Sequence, residues 1–81
     1  MISSTATYAL RAVVYLASQP DQYVCRSEIS DATLVPHEYL LKVLNLLDEA
    51  EIVESRRGPG GGYRLRVSPD ELSSLRVVLA V

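Results

Sequence analysis

Eighty-one residues make one small domain, able to bury about 60–65 % of the surface of its unfolded chain, enough for a three-helix core and not for a roomy enclosed active site. The chain is 48 % apolar with a net charge of −2 and a pI near 5.2, which supports a folded domain and excludes one that holds nucleic acid through an overall basic coat, so any such contact must be local. The longest apolar run, Ala12 to Ala17, is far short of a membrane span, and the N-terminus has no basic segment followed by a hydrophobic signal core, so the expected compartment is the cytoplasm.

Ser3, Ser4 and Thr5 offer N-caps for a first helix running to about Ser18, with Leu10, Val13, Val14 and Ala17 on the inward stripe. Pro20 and Asp21 stop it. Tyr23 and Val24 suggest a very short strand before a second, short helix from about Arg26 to Ala32, with Ile29 inward and Cys25 where a serine-type cap would be expected. Cys25 is the single cysteine. It permits no internal disulfide and no cysteine-cluster metal site, and its plainest role is that of a small, half-buried side chain.

Thr33 to Val35 make a turn, and Pro36 suits the first turn of a third helix, where its missing N–H would be unpaired anyway. Leu40, Val43, Leu44 and Leu47 repeat at i, i+3, i+4 and i+7. This is the strongest amphipathic pattern in the chain, with Glu38, Lys42, Asn45 and Glu49 on the opposite face. Ile52 to Arg56 and Tyr63 to Val67 then alternate as the two strands of a hairpin. Ser68, Pro69, Asp70 and Glu71 have capping-box spacing and are expected to start a last helical stretch holding Leu72, Leu75, Val78 and Leu79.

Between the two strands lies the most unusual segment. Residues 56–66 hold all 4 glycines and, in Arg56, Arg57, Arg64 and Arg66, half of the 8 basic residues. Gly60, Gly61 and Gly62 can turn the chain tightly and bring backbone N–H groups close to an anion, and the arginines add forked, charge-assisted hydrogen bonds. A nucleotide-binding loop would open a helix and complete its glycine fingerprint, yet Tyr63 stands where the last glycine belongs and strand alternation follows. The acidic residues fall mostly between Glu28 and Glu54, so the molecule should be electrically lopsided.

Two short helices joined by a tight turn, then a hairpin with a basic tip, add up to a mostly α winged helix-turn-helix with a small β-hairpin. The third helix is the right length to lie in a major groove about 12 Å wide, with the wing beside it on the backbone or minor groove.

Four segments carry a family resemblance: Tyr8 to Ala12 with Tyr15-Leu16-Ala17; Ser27-Glu28-Ile29; Pro36 with Tyr39 to Leu44; and Arg57-Gly58-Pro59-Gly60-Gly61-Gly62-Tyr63-Arg64-Leu65. In this order they resemble the BadM/Rrf-type winged-helix regulators of bacteria, the family of the iron-sulfur-cluster regulator and the nitric-oxide-sensing repressor. The glycine-rich wing is the specific part. The resemblance implies a sequence-specific DNA-binding transcription regulator, usually a repressor, acting as a homodimer on double-stranded DNA. Thr33, Val35 and Glu51 depart from the family pattern, the last standing where glycine commonly follows Ala50. Members often continue into a segment with three iron-sulfur-ligating cysteines and a long dimerising helix. This chain is read as a winged-helix domain, residues 1–81, cut before that sensor and dimerisation segment, so no cofactor is expected in it.

On helix geometry, Pro36, His37, Glu38, Leu41 and Lys42 lie on the first turns of the third helix and face the groove. His37 can donate or accept, Leu41 can meet a thymine methyl, and Lys42 can reach a guanine edge or a phosphate. Arg26 and Ser27, at the start of the second helix, are candidate phosphate contacts, as is Arg11. On the wing the candidates are Arg56, Arg57, Gly60, Gly61 and Arg64. A second class of function stays open, a winged helix that docks a partner protein and does not bind DNA. An enzyme is the third class and the weakest, since one histidine, one cysteine and no metal-ligand spacing leave little from which to build a site.

Overall fold

The computed structural model describes residues 3–81. α1 (Ser4–Ala17) starts where Ser3 stands as N-cap, its Oγ accepting the Ala6 N–H at 3.1 Å. This satisfies one of the N–H groups that a helix start leaves without a partner. Its buried stripe is Ala6, Ala9, Ala12, Val13 and Leu16, which corrects the expected one: Val13 is buried, but Val14 is 68 % exposed and Leu10 and Ala17 only half-buried. The physical reason is that α1 packs against α2, α3 and α4 at once, and close approach favours its small alanines over its larger apolar residues.

α2 (Arg26–Thr33) and α3 (His37–Glu49) form the helix-turn-helix. Leu34 closes α2 in the left-handed region at φ 60. Polar side chains hold the turn: Ser30 Oγ donates to the Val35 carbonyl at 2.7 Å, and Thr33 Oγ1 donates to the Ile29 carbonyl at 2.6 Å. Thr33 thus supplies a hydrogen bond of its own at a position where the sequence departs from the family pattern. Pro36 is the residue that caps α3 and does not lie within its first turn. The apolar stripe is as expected, with Leu40, Val43, Leu44 and Leu47 all fully buried.

α3 ends in a Schellman arrangement. The Ile52 N–H donates to the Leu47 carbonyl and the Glu51 N–H to the Asp48 carbonyl, both at 2.9 Å, with Glu51 at φ 61. Ile52 and Leu47 are both fully buried in the core. The chain then enters β1 (Val53–Arg56) and returns as β2 (Gly62–Leu65), an antiparallel pair in the register Val53 to Leu65, Glu54 to Arg64, Ser55 to Tyr63 and Arg56 to Gly62. The short strand expected at Tyr23 and Val24 is a bridge, in which Val24 and Tyr63 exchange both backbone hydrogen bonds at 2.8 Å. The wing is thereby tied to the segment that leads into α2.

The last helix begins later than its sequence suggests. Pro69–Glu71 form a single 3-10 turn without a side-chain cap from Ser68, and Leu72 is extended. α4 (Ser74–Ala80) is capped instead by Ser73, whose Oγ accepts the Arg76 N–H at 3.1 Å. Val77 is its fully buried anchor, while Leu75 and Leu79, expected on the helical stretch, are 66 % and 75 % exposed.

Candidate nucleic-acid interface

On α3 the residues opposite the buried stripe form one exposed face. His37, Glu38, Leu41, Lys42, Asn45 and Glu49 are all exposed, and positions 37, 38, 41, 42 and 45 are helical neighbours on one side. Pro36, also exposed, precedes them. Tyr39, a position shared with the family pattern, is 46 % exposed and stands edge-on to Tyr8 of α1, with ring centroids 5.4 Å apart. The Arg11 guanidinium lies 5.9 Å from the Tyr8 centroid. Arg11 is therefore held at the same end of the molecule as the start of α3, a placement its position on the first helix gives no hint of.

The wing is set beside this helix, because β1 follows α3 directly and packs against it. Its tip is a run of exposed residues from Ser55 to Gly60, which includes Arg56 and Arg57. Two glycines have distinct steric reasons to be there. A Cβ on Gly61 would run into the carbonyl oxygens of Arg56 and Gly58, and one on Gly62, at φ 142, into the Val24 carbonyl. Gly60 has φ 73 and open space around it. The close approach at Gly62 seats the wing on the entry to α2, where Arg26 and Ser27 are exposed. The structure therefore places the α2 start and the wing together, with the free N–H groups of a helix N-terminus beside the arginine-rich hairpin.

The arginines differ in what they already hold. Among the described residues the single ion pair joins Arg64 Nε to Glu54 Oε1 at 2.5 Å, which holds the Glu54 carboxyl below the usual carboxylate range and raises Arg64. The Arg64 guanidinium also lies 4.5 Å from the Tyr23 ring centroid, and Arg56 lies 5.7 Å from the same centroid. Arg57 is exposed, and no ion pair engages it.

Cys25 departs from its expected role. It is exposed and caps α2 without a side-chain cap hydrogen bond. Its thiol lies 3.3 Å from Ser27 Oγ, and that hydroxyl first, with the nearby Glu28 backbone N–H, brings it below the ordinary thiol range.

A family model described as Rrf2, iron-dependent transcriptional regulator, matches residues 2–81. The chain is 41 % identical over 69 residues to the HTH-type transcriptional regulator BadM of Rhodopseudomonas palustris, covering 85 % of this chain and 44 % of the relative. It is 36 % identical over 81 residues to the HTH-type transcriptional regulator IscR of Aliivibrio salmonicida, covering 99 % and 48 %. CymR, the global cysteine regulator of B. subtilis, superposes with a TM-score of 0.92 at 26 % identity over 99 % of this chain and 63 % of that one. The chain thus spans about half the length of the curated relatives it matches. As for iron, a cluster needs several thiolates or a comparable set of ligands, but the chain has 1 cysteine. No group of three His, Cys, Asp or Glu is placed to share a metal among the described residues, so these residues do not fit that group. Family model, relatives and superposition agree over nearly all of this sequence, and the chain belongs to the Rrf2 family of transcriptional regulators.

Proposed function

We propose that this chain is the DNA-binding part of a cytoplasmic transcription regulator, a repressor, and that it reads double-stranded DNA through α3 and the wing. The observation that carries the proposal is the exposed face of α3 standing beside a hairpin tip with two exposed arginines. In a major groove about 12 Å wide, Pro36, His37, Glu38, Leu41 and Lys42 meet base edges and the nearby backbone. Glu38 accepts from a cytosine amino group, and Leu41 packs on a thymine methyl.

The wing and the start of α2 fix the register. Arg56, Arg57 and the backbone of Gly60 and Gly61 take phosphates, and Arg26 and Ser27 take another at the α2 N-terminus. Because the basic side chains are gathered on these elements, an acidic chain still binds a polyanion. Two copies in a dimer would match a two-fold-symmetric operator. With about four phosphates neutralised per subunit, log K falls with log salt at a slope of about −3.6. A titration between low and physiological salt checks this, and an affinity independent of salt would contradict it.

A specific observation favours a second reading, in which a partner protein is bound instead. Val14, Leu75 and Leu79 are large apolar residues left in solvent, and exposed apolar surface is the usual mark of a protein contact. Salt-dependent binding to duplex DNA separates the two.

A further inference from the structure

Resting on the DNA-binding reading above, we propose that Glu54 tunes the wing's hold on DNA by competing with phosphate for Arg64, and that Tyr23 is the platform on which this competition is set. Strand alternation puts Glu54 and Arg56 on one side of β1, and the register places Arg64 directly across from Glu54. The other side of the hairpin, with Val53, Tyr63 and Leu65, packs on the core. Tyr23, held next to the Val24 bridge, covers the charged side. Both its hydroxyl, at 3.4 Å, and Arg64 Nε, at 2.5 Å, donate to the same oxygen, Glu54 Oε1. Its ring lies 4.5 Å from the Arg64 guanidinium and 5.7 Å from that of Arg56.

A carboxylate in this position offers an arginine what a DNA phosphate would offer, an anionic oxygen for a charge-assisted hydrogen bond. The pair is not sealed off: its side chains are 37 % and 32 % exposed for Arg64 and Glu54, so an incoming phosphate can compete. Arg64 consequently reaches DNA with its charge already answered, whereas Arg57 has no such partner. The wing binds fewer phosphates than it has arginines, and Glu54 is the positioning residue that sets the difference.

The test uses the whole chain, a fixed duplex and a salt series, with Glu54→Gln, Arg64→Gln and the double variant beside the parent. Glu54→Gln should bind about 2- to 5-fold more tightly at low salt, the range expected when an exposed ion pair is opened. Its log–log salt slope should steepen by about 0.9, one added phosphate contact. In the Arg64→Gln background the same Glu54 substitution should leave the slope unchanged. Glu54→Thr, a strand former without the charge, should reproduce the steepening and guards against a hairpin-specific defect of the glutamine. A slope unchanged by Glu54→Gln, weaker binding, or an equal gain with and without Arg64 would overturn the proposal while leaving DNA binding in place. A parent chain with no salt-dependent binding would overturn both.

Discussion

Gly62 joins the wing to the rest of the molecule at a point where no side chain fits. It has φ 142, and a Cβ would meet the Val24 carbonyl, whose oxygen accepts the Tyr63 N–H. Gly62→Ala should therefore cost about 2 kcal/mol, the scale of a residue forced into a disfavoured backbone region, and lower the thermal midpoint by roughly 8–16 °C for a domain of this size. An unchanged midpoint in a melting experiment would contradict the close approach. Arg57 is the opposite case, an exposed side chain with no ion-pair partner among the described residues. Arg57→Ala should leave the melting midpoint unchanged, weaken binding to all DNA sequences alike and make the salt slope shallower by about 0.9; a gel-shift series showing loss at one base pair only would contradict a phosphate role. Glu54 adds a pH dependence. Arg64 first, with help from the Tyr23 hydroxyl and the charge of Arg66, holds its carboxyl below the ordinary range. The stability this contributes is present above the unfolded value of about 4.3 and is lost as pH falls through the lower folded value. Acid unfolding of Glu54→Gln should lack that component, and an acid transition identical to the parent's would contradict the pairing.

At the scale of elements, helix ends explain both what the sequence reveals and what it hides. The α3 stripe is legible because Leu40, Val43, Leu44 and Leu47 all face one core and polar residues occupy the other side. The α1 stripe is misread because alanines carry little hydrophobic signal, yet Ala6, Ala9 and Ala12 are the residues at the crowded contacts. The spacing of Ser68 and Glu71 suggests a capping box, but Leu72 is extended and Ser73 is the working cap. Glu51 is a departure from the family pattern that the structure gives a physical meaning, since it sits at φ 61 in the Schellman position that favours glycine. Left-handed backbone costs a residue with a Cβ about 1–2 kcal/mol, and glycine returns about 0.5–1 kcal/mol of that as extra freedom in the unfolded chain. Glu51→Gly should therefore stabilise the domain by about 0.5–1 kcal/mol, read as a higher urea midpoint at constant slope. A lower midpoint would show that Glu51 makes a compensating contact.

For the molecule as a whole, the two halves of the candidate interface are legible to different degrees. The exposed face of α3 follows from periodicity, and the basic, glycine-rich tip can be read directly from residues 56–66. The Glu54, Arg64 and Tyr23 cluster cannot, because it depends on strand register and on the bridge from Val24 to Tyr63, which residue types and spacing do not specify. The seat of the wing against the start of α2 is hidden for the same reason. What the fold then does is gather positive side chains onto the wing and the α2 start, although the chain has a net charge of −2. Sequence-specific DNA binding by that surface is the central claim. Selection of bound fragments from a random duplex pool at near-physiological salt, with the chain alone and fused to a neutral dimeriser, tests it most directly. Enrichment of a defined motif, two-fold symmetric in the dimerised arm, is the expected result; no enrichment in either arm would contradict DNA recognition and favour the protein-docking reading.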